Sequence, residues 1–325
     1  MAVGYYEFTI PNRSRFKDCC FYANDLVWAP GKNDGACDVI DPTTDTPLTP
    51  LALTVGPSHT VRNWRVGCLV DDRYIVLIGE STETVFGVID TQAGSYAEHA
   101  VGARANRNAA CGGGGHAWVF GSNGQVLKLH PVTGAWSETA VTVAGGYNSA
   151  VAFGGSVLAI GSQTQLIEVA TATGTQTART IAAAQNKARN AAAVSNAQVW
   201  ATDSLSGTST DRVLRVAPSS WGSDERTITG NSDLLTAVAP GMGHVWFPRS
   251  GGSGIGRVDD VTGVTSIETT TGGTTRTRRG AALVPSAPPM GKIYCPSDGH
   301  ATMGVYTDIP IPVLSRGWFR GRPIG

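Results

Sequence analysis

Six histidines and six cysteines are the side chains of this sequence best suited to metal or nucleophilic chemistry. Their spacing assigns them to neither. His116 and His244 each stand two places before a tryptophan, whereas His59, His99, His130 and His300 share no such relation. Cys19, Cys20, Cys37, Cys68, Cys111 and Cys295 contain no C-x-x-C pair. Their wide spacing fits neither a zinc site nor a disulfide scaffold. The sequence also lacks a G-x-S-x-G elbow, an H-E-x-x-H pair and an EF-hand loop. The glycine-rich stretches Cys111–Gly115 and Gly251–Gly256 carry no P-loop lysine and fall in predicted interstrand turns, so they are poor phosphate cradles. The expectation is no catalytic residue, no metal and no cofactor.

Two basic constellations remain. Lys17, Arg65, Arg107, Arg189 and Arg279 open the first strand of five repeat units, the last after a four-residue insertion, while Tyr147 and Leu235 stand there in the other two. One repeat position is one height about an axis. These residues therefore predict a basic ring at a channel mouth, suited to an anionic ligand or an acidic partner segment. The competing and preferred reading pairs each base with a carboxylate or carbonyl of the neighbouring unit. The second constellation is Arg316, Trp318, Phe319, Arg320 and Arg322 near the C-terminus. Arginine and aromatic residues are favoured at interface hot spots, so this segment is a candidate docking tail. A strand packed on its own unit is the alternative.

The elements that must position these residues are set by a repeat. Trp28, Val76, Trp118, Leu158, Trp200, Trp246 and Tyr294 each sit in a short apolar run, 48, 42, 40, 42, 46 and 48 residues apart. A turn-forming or polar residue follows each by three places, four times a glycine. A second run ends at Ile40, Ile89, Leu129, Val169, Val216, Val258 and Tyr306, and a turn comes next. Gly94, Gly134, Gly174 and Gly263 share one position in that turn, which predicts a positive φ there. A strand of small residues precedes each anchor, as in Ala109-Ala110, Ser149-Ala150, Ala191-Ala192 and Ala237-Val238. Small side chains suit the crowded axis of a radial array. Cys19, Cys20, Cys68 and Cys111 fall on this strand too and read as small core filler. A polar strand such as Trp136–Val141 closes the unit.

Four short strands per 40 to 50 residues predict an all-β fold, a seven-bladed β-propeller of four-stranded antiparallel blades. The best helical window, Ile181–Ala193, reads as a connection into the first strand of blade five. Residues 1–314 are expected to form the single propeller and 315–325 a C-terminal extension. The alternating segment Tyr5–Ile10 is expected to close the last blade. Ile309-Pro310-Ile311-Pro312, with two prolines, suits an edge or an extended tail.

Blade six reads Gly243-His244-Val245-Trp246-Phe247, Gly254-Ile255-Gly256-Arg257-Val258 and Thr262-Gly263-Val264-Thr265. This resembles the blade repeat of streptogramin B lyases and related NHL-type propellers, which are seven-bladed. In that family a catalytic histidine and metal-binding carboxylates cluster on one face. Here His116 and His244 belong to blades three and six, on opposite sides of the ring, so the resemblance transfers no catalytic residue.

Charge narrows the function further. Twenty-five basic residues balance 25 acidic ones, which implies no bulk attraction to nucleic acid or to an anionic membrane. Twenty of the bases are arginine, and Ala, Gly and Thr abound, a bias of high-GC genomes. The N-terminus Met1-Ala2-Val3-Gly4-Tyr5 lacks the charged and apolar regions of a signal peptide. No apolar run of about 18 residues suggests a membrane span. The reading these features favour is a non-enzymatic structural protein of a bacteriophage particle, in the tail or on the capsid. It would be assembled in the host cytoplasm, dock other virion proteins in symmetric copies and contact a host-surface glycan. A carbohydrate- or protein-binding propeller outside a virion is the alternative. A metal-dependent lyase of the streptogramin type is the third.

Overall fold

The computed structural model describes residues 3–12, 14–16, 19–54, 62–80, 83–101, 107–121, 124–141, 146–161, 165–181, 189–203, 210–229, 243–248, 254–269, 280–285 and 290–310. They form a seven-bladed β-propeller of four-stranded antiparallel blades, with no helix among them. Strands are lettered a to d within each blade. All seven anchors lie on strand b, and each is buried. Strand b is flanked on both sides by its own sheet and covered on both faces by neighbouring blades. It is therefore written as a continuous apolar run rather than an alternating one.

Blade 2 shows the plan. Strand a is Trp64–Val70, b Tyr74–Gly79, c Val85–Asp90 and d Ser95–Ala100, in antiparallel order a-b-c-d. Blade 3 repeats it with Arg107–Gly113, His116–Gly121, Gln125–Leu129 and Trp136–Ala140. Blade 4 has Tyr147–Phe153, Ser156–Gly161, Gln165–Ala170 and Gln176–Thr180. Blade 5 has Arg189–Ser195, Gln198–Asp203, Thr210–Ala217 and Gly222–Thr229. In blade 1, Phe21–Ala23, Leu26–Pro30 and Ala36–Asp41 are followed by two short pieces, Thr46–Pro47 and Leu51–Ala52, that both pair with c. The described part of blade 6 is b, c and d: His244–Pro248, Gly254–Asp259 and Thr265–Thr269. Ala237-Val238 and residues 182–188 of the helical window lie outside the described residues, and Arg189–Ser195 is strand.

Blade 7 is composite. Ala282–Pro285, Met290–Pro296 and Thr302–Pro310 supply a, b and c, and Gly4–Thr9 supplies d. The first strand of the chain pairs with its last, from Gly4 opposite Thr307 to Thr9 opposite Thr302. Pro310 lies beyond that pairing, at the end of strand c opposite Met290 of strand b.

The c–d turns share one geometry. Gly94, Gly134, Gly174 and Gly263 have φ of 60, 71, 73 and 73°, the left-handed region that their shared position requires. Blades 1 and 5 put Asp45 (φ 55°) and Trp221 (φ 56°) at the same place. Asp41, Asp90 and Asp259 open three of these turns, each accepting backbone N–H bonds two residues on.

Around the axis, strands a of adjacent blades lie against one another. A Cβ on Gly112 would stand 2.0 Å from the Leu69 carbonyl oxygen of the preceding blade, so only glycine fits there. All six cysteines are buried free thiols. Burial pushes the thiols of Cys20, Cys37 and Cys111 well above their ordinary value, which keeps them protonated and poorly nucleophilic.

Candidate binding face around the axis

The first strands of four successive blades begin with an irregularity at one place. In blade 2, Trp64 pairs with Gly79 and Val66 with Ile78, so Arg65 is extra. In blade 3, Arg107 pairs with Gly121 and Ala109 with Phe120, leaving Asn108. Blade 4 repeats this with Tyr147, Gly161 and the extra Asn148. In blade 5 the register slips between Arg189 and Ala192. A β-bulge of this kind re-aims side chains and leaves backbone groups outside the ladder. Here it recurs at the end of the disc where the first strands start.

This register corrects the alignment of the basic residues. The a–b hairpin of blade 2 closes with Val70 opposite Tyr74, a three-residue turn. Blades 3 and 5 close two-residue turns, Gly113 opposite His116 and Ser195 opposite Gln198. Counting back from the anchor therefore places Arg65 one residue off. Trp64, not Arg65, is the counterpart of Arg107, Tyr147 and Arg189. That position points into the blade: Trp64, Arg107 and Tyr147 are 1%, 2% and 1% exposed. Arg107 is thus packed inside rather than displayed at a mouth. Arg65 is exposed, and its Nε donates to Asn108 Oδ1 at 2.8 Å in the next blade. Lys17, Arg279 and the tail residues Arg316, Trp318, Phe319, Arg320 and Arg322 lie outside the described residues, as does the side chain of Arg189.

Charge on the same face of blade 2 is tightly paired. The Arg62 guanidinium contacts Glu98 at 2.8 Å and Glu83 at 3.4 Å. Tyr96 donates to Glu98 at 2.9 Å. Lys32 of blade 1 reaches Glu80 at 3.1 Å. Burial first, then the Glu98 charge, pushes the Tyr96 phenol far up, so it stays a donor. These contacts hold the loops beside the first strands in a fixed arrangement.

Within the blades and at the seam that closes the ring, charged groups brace the strands. In blades 3, 5 and 6 a strand-b tryptophan faces a strand-c cation: Lys128 over Trp118, Arg215 over Trp200 and Arg257 over Trp246, with the charge 5.1, 5.8 and 5.7 Å from the ring. Strand d supplies the next charge outward, as in Arg215–Asp224 at 2.6 Å and Arg257–Glu268 at 3.2 Å.

The seam between blades 7 and 1 has two further locks. Arg15 and Asp38 form an ion pair with both side chains at 0% exposure. Arg15 also donates to the carbonyls of Ala29 and Asn12, and Asn12 to Asp38. Burial pushes the Asp38 carboxyl up against the pull of Arg15. The second lock is Asp45, which accepts from Tyr6, Tyr294 and Lys292. Burial opposes its ionisation, but those hydrogen bonds outweigh it and hold the carboxyl below its ordinary value. Sequence reading missed Asp45, Asn108 and Asn148. For Asp45, the only local sign was a non-glycine residue at the turn position that glycine fills elsewhere.

Among the described residues, no three His, Cys, Asp or Glu side chains come together as metal ligands, and no helix is long and apolar enough to cross a membrane. No protein-family model matches the chain, and no curated protein matches it. Solved structures do match. The structure of U3-55K aligns with a TM-score of 0.69 at 8% identity, covering 94% of this chain and 98% of that one. The RRP9 WD40 repeats align with a TM-score of 0.70 at 8% identity, covering 94% and 97%. The Pan2 WD40 domain of Neurospora crassa aligns with a TM-score of 0.65 at 10% identity, covering 91% and 89%. A chain of the mitotic checkpoint complex aligns with a TM-score of 0.70 at 7% identity, covering 94% and 91%. At such identities the likeness is one of fold. Two of these four, the Pan2 and RRP9 structures, are WD40 propellers, and none of the four is a streptogramin lyase of the kind that blade six resembles.

Proposed function

We propose that this protein is a non-enzymatic binding propeller that holds a protein partner at the face where its first strands begin. The observation that carries this reading is the repeated bulge, which sets Arg65, Asn108 and Asn148 at one position in three successive blades. Three polar side chains on a rigid sheet scaffold make a pre-organised recognition surface, which lowers the entropic cost of binding. The similarity to a chain of the mitotic checkpoint complex agrees with a role in an assembly, by analogy of fold alone. A photo-crosslinking amino acid placed at Asn148, and separately at Gly154 on the opposite face, tests the reading in the source cells. Adducts with one defined protein from position 148, and few from 154, are expected. Equal labelling from both faces would sink it.

A narrower reading makes the disc a structural component of a bacteriophage particle, in the tail or on the capsid, present in several symmetric copies. Its support is compositional: low charge, richness in Gly, Thr and Ala, and the Arg/Trp/Phe segment at 316–322. Mass spectrometry of purified particles tests it. A particle lacking the protein would end this reading and leave the binding propeller standing.

A further inference from the structure

We propose that Arg65 and Asn108 together form a receptor for a carboxylate of an acidic peptide segment. This rests on the binding reading above and names its chemistry.

Three half-buried arginines among the described residues are neutralised by the protein itself. Arg73 lies 2.6 Å from Asp90, Arg179 2.7 Å from Glu168 and Arg226 2.6 Å from Asp224. Arg65 differs. It is exposed, and among the described residues no carboxylate stands within ion-pair distance of it. Its partner is the neutral amide oxygen of Asn108, at 2.8 Å.

That single bond sets the direction of everything left over. Engaging Nε with Asn108 fixes the plane of the guanidinium and leaves both terminal nitrogens as donors. Engaging the Asn108 oxygen leaves its Nδ2 as a donor too. Beyond the Asn108 oxygen, which already accepts from Nε, the two side chains therefore present only N–H groups. A planar guanidinium edge matches a carboxylate through two parallel bonds, the geometry in which arginine exceeds lysine.

The setting favours a peptide over a sugar acid. A bulge leaves backbone groups of the extra residue outside the ladder. The same bulge recurs in blades 2, 3 and 4. An extended peptide offers backbone donors and acceptors at regular intervals to such groups. The half-buried Asn148 amide stands one blade further round and can meet a peptide bond with both a donor and an acceptor.

Selection of a random displayed peptide library on the full-length protein tests this. Peptides rich in Asp or Glu are expected. A selected peptide should lose about tenfold in affinity when its acid becomes the amide, and by a similar factor on Arg65→Gln protein. Arg65→Lys should recover only part of the loss, and Asn108→Ala should weaken binding several-fold. All variants should melt with the wild type, because Arg65 is exposed. Acidic peptides that bind Arg65→Gln protein as well as wild type would overturn the receptor and leave the binding face intact. Recovery of no peptide would count against both. Colominic acid, a polysialic acid, is the sugar arm: Arg65-dependent binding of it, with none of the peptides, would replace the peptide by a glycan and overturn the proposal.

Discussion

Lys292 places its ammonium 2.6 Å from the Asp45 carboxylate, joining blade 7 to the c–d turn of blade 1. The two residues are 247 apart in sequence and meet where the ring closes. Asp45 pays for its place with a left-handed backbone, φ 55°, that four other blades give to glycine. A non-glycine residue there costs about 1–2 kcal/mol. Three donors converging on one carboxylate offset that.

Asp45→Asn keeps the shape and the tolerance for this backbone, but removes the charge. It should destabilise the protein by about 1–3 kcal/mol in urea unfolding, the range for lost charge-assisted bonds. Lys292→Met in the same background should then cost little more, because the two residues act as one unit.

Asp45 at this seam and Asp90 in blade 2 shape the response to pH. Asp45 and Asp90 have carboxyls held below their ordinary value in the folded state, Asp90 chiefly by its bond from Arg73. The unfolded chain therefore binds more protons as pH falls, and the stability these groups contribute, present above about pH 4, is lost as pH drops through their folded values. Asp38, pushed up by burial, contributes in the opposite sense and softens the loss. Tyr6 and Tyr294 are raised, by burial first and then by Asp45. Their contribution is complete below about pH 10 and is lost above it, where the unfolded phenols ionise and the folded ones do not. Melting temperature against pH should fall on both sides. Tyr6→Phe should flatten the alkaline limb; an unchanged limb would remove the tyrosines as its cause.

Gly112→Ala tests the close approach of the first strands. The new methyl would stand 2.0 Å from the Leu69 carbonyl oxygen, a backbone atom that cannot swing aside, so two blades must separate. Overpacking of this kind costs about 1–3 kcal/mol or more. Gly94→Ala is the control: its φ is 60° but no atom lies within 4 Å of the added Cβ, so only the backbone cost of about 1–2 kcal/mol applies. Thermal melts should rank Gly112→Ala below Gly94→Ala.

Trp200 is fully buried and Arg215 stacks on it, 5.8 Å from the ring. Trp200→Ala should cost about 3–5 kcal/mol, mostly from the cavity. A double-mutant cycle of Trp200→Phe with Arg215→Met should give a coupling of about 0.5–1 kcal/mol, read by urea unfolding. Zero coupling would reduce the stack to mere proximity.

The number of blades and the identity of their central strands were written in the sequence. Each blade must bury both faces of its second strand, so Trp28 to Tyr294 repeat as anchors in apolar runs. Each c–d turn needs a left-handed residue, so Gly94, Gly134, Gly174 and Gly263 repeat too. Local physics acting once per blade leaves a periodic trace. What faces what across the blades left none. A third residue in the turn after Val70 moved Arg65 out of line with Arg107, and spacing from an anchor does not record which side of a hairpin an extra residue joins. The contact of Arg65 with Asn108 of the next blade, and the closure of Asp45 on Tyr6, Lys292 and Tyr294, depend on strands brought together only when the ring forms. Tertiary structure alone decided that Arg107 is buried and Arg65 is displayed, because one residue of register carries a side chain from the packed face of a strand to the open one.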